Sequence, residues 1–161
     1  MEQRVENNAE LLEKRYRTAV IVVISQIVIT LVLIAGSWFV ISFSGNDIND
    51  SALSALWLLV LCIAISAFVL RRMLFSWERL KNVALLKGVK GLLTGLQTNT
   101  ILLSSLGEVI AIIGFLIAVL SGNKNEMLRA GAVALIIFLI NFPRKTTWKK
   151  VLAAAEKLQL N

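Results

Sequence analysis

Glu108 is the residue in this chain best placed to do chemistry. It lies within LQTNTILLSSLGEVIAIIGFLIAVL, residues 96–120, a stretch apolar enough to span a bilayer. Counted from Thr98 at about 1.5 Å per residue, it is roughly 15 Å deep, close to the midplane. A carboxylate there costs on the order of 3 kcal/mol, so it is expected to face protein or water, or to hold a proton. Reversible binding of a proton or ion is therefore the chemistry open to it. Within the expected membrane spans it is the one acid.

The residues around Glu108 form a pattern. Ser104, Gly107, Ala111, Gly114 and Ala118 recur at spacings of three and four and give one helix face small enough for a close neighbour. Glu108 is about 100° from Gly107, at the edge of that face. Ala130, Gly131 and Ala134 form a second small stripe. Gln26, Thr30 and Asn141 are polar residues in other apolar stretches, suited to hydrogen bonds between helices or to Glu108.

Other chemistries find little support. No histidine is present, and the one cysteine, Cys62, is neither half of an internal disulfide nor a metal site by itself. No phosphate-binding loop, HExxH or GxSxG occurs. The expectation is a protein that is not an enzyme, with no metal and no cofactor.

The elements that must position these residues follow from hydropathy. The 161 residues are 57% hydrophobic with a mean hydropathy of +0.77, too apolar for a soluble domain of this length. Four spans are expected, at about 18–43, 52–70, 98–121 and 127–142, inside a transmembrane domain covering 18–142. Bilayer-exposed backbone must satisfy its own hydrogen bonds, so the fold class is all-α: an integral membrane protein of four transmembrane helices.

Between the second and third spans, residues 71–97 are too polar to cross and too patterned for a plain loop. They suggest an interfacial connector with a short amphipathic helix after Ser76 and a glycine-rich bend at Gly88, Gly91 and Gly95. Ser76 is a candidate N-cap for that helix, and Ser51 one for the second span. Residues 1–17 read as an amphipathic segment with Val5, Ala9, Leu12 and Tyr16 on one side and favourable pairs Glu10–Lys14 and Glu13–Arg17. The tail, 143–161, reads as a short surface helix after Pro143, with Val151, Leu152, Ala155 and Leu158 on one side.

The net charge of +7 is unevenly spread. Of seventeen basic residues, only Lys124 and Arg129 fall in the two short connections; the others sit in the N-terminal segment, the 71–97 segment and the tail. By the positive-inside rule both termini are cytoplasmic, and anionic headgroups account for the basic pI without any nucleic acid. Arg71, Arg72, Trp77, Arg79, Lys81 and Trp148 are the residues expected at the headgroup interface. The absence of a cleavable leader points to a bacterial cytoplasmic membrane.

The 96–120 stretch resembles the ion-carrying helix of rotary ATPase proteolipid subunits, the c or K subunits of the membrane ring. Glu108, Ala111 and Gly114, with Ile117 and Ala118 beyond, match the carboxylate, alanine, glycine and apolar run of that helix. The resemblance implies that Glu108 binds a proton or ion. The preceding helix of that family is glycine-rich, whereas the second span here has no glycine and carries Trp57, Leu58 and Leu59. The order RR…ERL…LQT…E…G…FPR also resembles uncharacterised small four-span bacterial membrane proteins. The residues point to a small integral subunit or accessory protein of a larger membrane complex, partnered by other membrane subunits or by its own copies. The alternatives are an ion-translocating proteolipid-like subunit or a small oligomeric transporter or channel.

Overall fold

The computed structural model describes residues 2–41 and 50–159, with side chains from Glu6 to Ile41 and from Asp50 to Lys157. Among the described residues the chain is helical throughout, in the order α1 (Glu2–Val40), α2 (Asp50–Leu74), α3 (Trp77–Ser121), α4 (Lys124–Asn141) and α5 (Lys145–Gln159). The first four are long and apolar enough to cross a membrane.

The hydrogen bonds and close contacts fix the directions. Arg15 Nη1 donates to Gln97 Oε1 at 2.9 Å, and further along both helices Gln26 Nε2 donates to Ser105 Oγ at 3.2 Å, so α1 and α3 run parallel. Gly107 faces Ala134 and Phe138, while Gly114 faces Met127 and Ala130, so α3 and α4 run antiparallel. The two helices are joined through Gly122, which ends α3 in the left-handed region (φ 65°, ψ 9°), and Asn123, whose side chain accepts from the Asn125 amide at 3.0 Å.

All five small residues of the α3 stripe, Ser104, Gly107, Ala111, Gly114 and Ala118, are buried. A Cβ on Gly107 would lie 3.1 Å from the Phe138 ring, and one on Gly114 would collide with Ala130 Cβ. The α4 stripe plays a matching part, with Gly131 packed on Ile34 of α1. In lipid, helices associate by such close packing because the tails are as apolar as the side chains. Val60, Ala67, Ile110, Ala111, Ile117, Ala134, Ile137 and Phe138 complete this inner core.

A second core lies at the end of the bundle that carries the basic segments. Leu12 and Ala19 of α1, Leu80, Ala84, Leu92, Leu93 and Leu96 of α3, and Trp148, Leu152 and Ala155 of α5 pack together there. The contacts add detail to three expectations. Residues 77–97 are helical from Trp77 and bend at Gly88 (φ 66°, ψ −173°), as the glycine spacing suggests, and the segment joins α3 with the face of Leu92, Leu93 and Leu96 buried and much of the rest exposed. The segment 1–17 continues into the first span as one helix and packs on α5: Asn8 Nδ2 donates to Glu156 Oε1 at 2.9 Å, and Glu13 pairs with Lys145 at 2.7 Å instead of Arg17. Trp148, expected at the headgroup interface, is 2% exposed and meets Tyr16 edge-on at 5.8 Å, since α5 folds back onto α1.

Some caps and faces also differ. Ser76 stands at the N-cap of α3 without a side-chain cap bond, and α2 starts at Asp50, so Ser51 lies inside the helix. Ala9 is exposed; Val5 and Leu158 lie outside the described side chains.

The tight seam predicts a graded response. Gly114→Leu should destabilise the bundle by about 1–3 kcal/mol through overpacking against Ala130. Gly36→Ala, where no atom lies within 4 Å of a new Cβ, should not. Reversible unfolding in detergent micelles checks both; equal stability of the two variants would contradict the seam.

Candidate functional site in the seam between α1 and α3

The packed face of α1 carries Leu12, Ala19, Val23, Gln26, Thr30 and Ser37, positions that recur every seven residues (12, 19, 26 and 23, 30, 37) and turn polar as the helix advances. Three of these polar residues lie among apolar neighbours. Ser37 donates to the Ile34 carbonyl at 2.7 Å. Gln26 spends its amide N–H on Ser105, whose own hydroxyl donates to the Ile101 carbonyl at 2.9 Å. Gln26 Oε1 and Thr30 Oγ1 are buried and have no hydrogen-bond partner, although Thr30 is 0% exposed. An unmade hydrogen bond at a buried oxygen costs about 1–3 kcal/mol, so such atoms call for an explanation.

Glu108 belongs to the same seam. It follows Ser105 by three residues, and residues three apart share a helix side. The Gln26–Ser105 offset of 79 positions sets Glu108 level with Ile29 and Thr30. It is half-buried, and among the described residues it has no hydrogen bond or ion pair. Beside it the outer face of α3 is an open groove over Ile101, Leu102, Ser105, Leu106 and Val109. The acid thus sits on the border between the seam and that open face. Asn141 Oδ1 is also buried and unpartnered, but it lines a cavity with Thr100 and Arg71, about two turns away.

A second acid inside the bundle escaped the sequence reading, which began the fourth span at residue 127. Because α4 starts at Lys124, Glu126 is drawn in and is 7% exposed. Trp57 Nε1 donates to its Oε2 at 2.8 Å and Arg129 Nη1 to its Oε1 at 3.1 Å. Its place in the first helical turn also sets it against the positive end of the helix dipole. Nearby, Lys124 Nζ sits 4.5 Å from the centre of the Trp38 ring. Trp57 and Trp38 therefore tie α2 and α1 to the start of α4.

The contrast assigns different roles to the two acids. Glu126 has both oxygens satisfied and ties helices together, whereas Glu108 has neither. Of the expected interface residues, Arg72, Trp77, Arg79 and Lys81 are exposed and Arg71 is half-buried, on or near the bend between α2 and α3. Cys62 is exposed on the outer side of α2.

Fold and seam together define an all-helical, multi-pass membrane protein with a polar seam at mid-bundle. No protein-family model matches the chain, and comparison with curated proteins and with solved structures finds no match either.

The Glu126 tie can be measured. Trp57→Phe keeps an aromatic ring but removes the indole N–H and some volume, so it should lower stability by at least about 1.5–3 kcal/mol, the usual worth of a hydrogen bond to a charged group. Lys124→Ala, which removes only the exposed cation over Trp38, should cost about 0.5–1 kcal/mol. Chemical unfolding in micelles would contradict the assignment if Trp57→Phe were the milder change.

Proposed function

We propose that the chain is a non-enzymatic subunit of a membrane assembly, in which the Glu108 side of α3 meets a helix of another subunit. The observation that supports it is the half-buried Glu108, on the apolar stretch of α3 and without a partner among the described residues. A carboxylate left in that state would cost on the order of 3 kcal/mol, and a helix bringing a Ser, Thr, Asn or Gln donor would remove much of that cost. The small-residue stripe that carries the resemblance to proteolipid helices is covered by α4 of the same chain. An assembly would therefore form on other faces. The outer side of α3, with Leu102 47%, Ile112 53% and Leu116 46% exposed, offers one next to the acid.

The proposed setting is a bacterial cytoplasmic membrane with both termini inside. The basic residues support it, since they gather at the end where α1 begins and α5 packs.

A second reading is favoured by a separate observation, the unpartnered Gln26 Oε1 and Thr30 Oγ1 on the seam, one about a turn before the level of Glu108 and one at it. Together these oxygens suit a proton or small cation, and the chain would then be an ion-translocating subunit or an oligomeric channel.

The two readings part on substitution. In native mass spectrometry from mild detergent, the wild-type chain should carry a discrete partner subunit. Glu108→Gln should retain it, and Glu108→Leu should weaken it about tenfold, as expected for one interhelical hydrogen bond. A monomeric chain with all three versions alike would contradict the assembly. Ion translocation predicts instead that Glu108→Gln abolishes proton or cation flux in liposomes.

A further inference from the structure

The bend at Gly88 encloses a hollow of about 490 Å³ between the two parts of α3 and the end of α2. Arg79, Lys87 and Lys90 line it, with Thr94, Thr98 and Asn99 adding hydroxyl and amide groups, and no acidic side chain does. Among the described residues the ion pairs are Arg129–Glu126 and Lys145–Glu13, so these three cations have no carboxylate of their own. Glu78, next to Arg79, is exposed and outside the lining. The opposite wall is apolar, formed by Leu74, Leu80, Val83 and Leu92.

Glycine keeps the hollow open. A Cβ on Gly91 would run into the Lys87 side chain, and Gly95 has no atom within 4 Å of its Cβ position, so the wall is bare there. Asn99 Nδ2 donates to the Leu74 carbonyl at 3.3 Å and pins the end of α2 to α3 at the floor. The hollow lies where α2 ends in Arg71 and Arg72 and where the apolar run of α3 begins at Thr98. The apolar stretches of both helices end at that level, where a chain crossing a bilayer would meet the lipid phosphates.

We propose that this cavity is a binding site for the phosphate of an anionic phospholipid, with Arg79, Lys87 and Lys90 around the phosphate and the leucine wall along the start of the acyl chains. A fork-shaped guanidinium and two ammonium groups match phosphate oxygens, and the Thr98 hydroxyl supplies a further donor, whereas the Thr94 hydroxyl donates to the Lys90 carbonyl at 2.9 Å. The apolar wall favours a lipid over free phosphate, which would leave that wall bare. The site is independent of the Glu108 reading and rests on different residues.

Lipid titration followed by native mass spectrometry of the full chain tests it, with phosphatidylglycerol as the anionic probe and phosphatidylcholine as the zwitterionic one. The wild-type chain should retain phosphatidylglycerol in preference to phosphatidylcholine. Arg79→Gln, Lys87→Gln and Lys90→Gln should each weaken that retention about fivefold. Gly95→Leu, which fills the hollow and leaves the charge alone, should weaken it as well. Lys149→Gln with Lys150→Gln, on the exposed side of α5, should not. Equal retention of the two lipids would overturn the site. So would equal losses from the α5 and cavity substitutions, because the attraction would then be a diffuse surface field. Displacement of the lipid by millimolar inorganic phosphate would make it a soluble-phosphate site and overturn the lipid assignment.

Discussion

Everything in this bundle is arranged around the close approach of α3 and α4. With no water to drive helices together in the apolar layer, contact depends on surfaces that fit, and Gly107 and Gly114 leave room for Phe138 and Ala130. Once that seam forms, one side of α3 is committed. α2 packs beside it through Val60 and Ala67, and α1 takes the flank that carries Ser105 and Glu108. The remaining side of α3 stays open. A larger residue at Gly114 would push α4 away and loosen the Glu126 tie to Trp57, because both depend on where α4 begins.

The two acids on the apolar helices show how differently one chain surrounds the same group. Glu126, at 7% exposed, is the more fully removed from water, and Glu108 is half-buried. Glu126 offsets that loss of hydration with an indole N–H, a guanidinium and the start of a helix. Among the described residues Glu108 has none of these, and Gln26 Oε1, an unpartnered oxygen in the same seam, is an acceptor and offers a carboxylate no donor. Three unsatisfied groups within about one turn of one seam are what the proposed contact with another subunit rests on.

Much of this was legible in the sequence, and the misses have particular causes. Hydropathy located the four helices long and apolar enough to cross a membrane, and small-residue spacing identified the face of α3 that meets another helix. Glu108 stood out because acids are rare in such stretches. Glu126 was passed over because the hydropathy window opened at Met127, although Asn123 followed three residues later by Glu126 is a helix-start signature. Read that way, the helix begins at Lys124 and takes the acid inside. The folding of 77–97, α5 and the N-terminal half of α1 into a second core was hidden for another reason. Each segment alone looks like a surface helix, and only tertiary contact distinguishes lipid from another helix as the cover for Leu92 or Trp148. The unpartnered oxygens of Gln26 and Thr30 depend on the register between α1 and α3, which hydropathy does not encode.

The account turns on what touches α3 beside Glu108 in the native membrane. A photo-crosslinking amino acid at Ile112, one turn beyond Glu108 on the exposed side, reports that directly when illuminated in intact membranes. The account predicts a crosslinked product of one discrete added mass, a second protein chain, that disappears when the probe is moved to Leu58 on the outer face of α2. Adducts with lipid alone, at both positions alike, would contradict it and leave Glu108 without a protein partner.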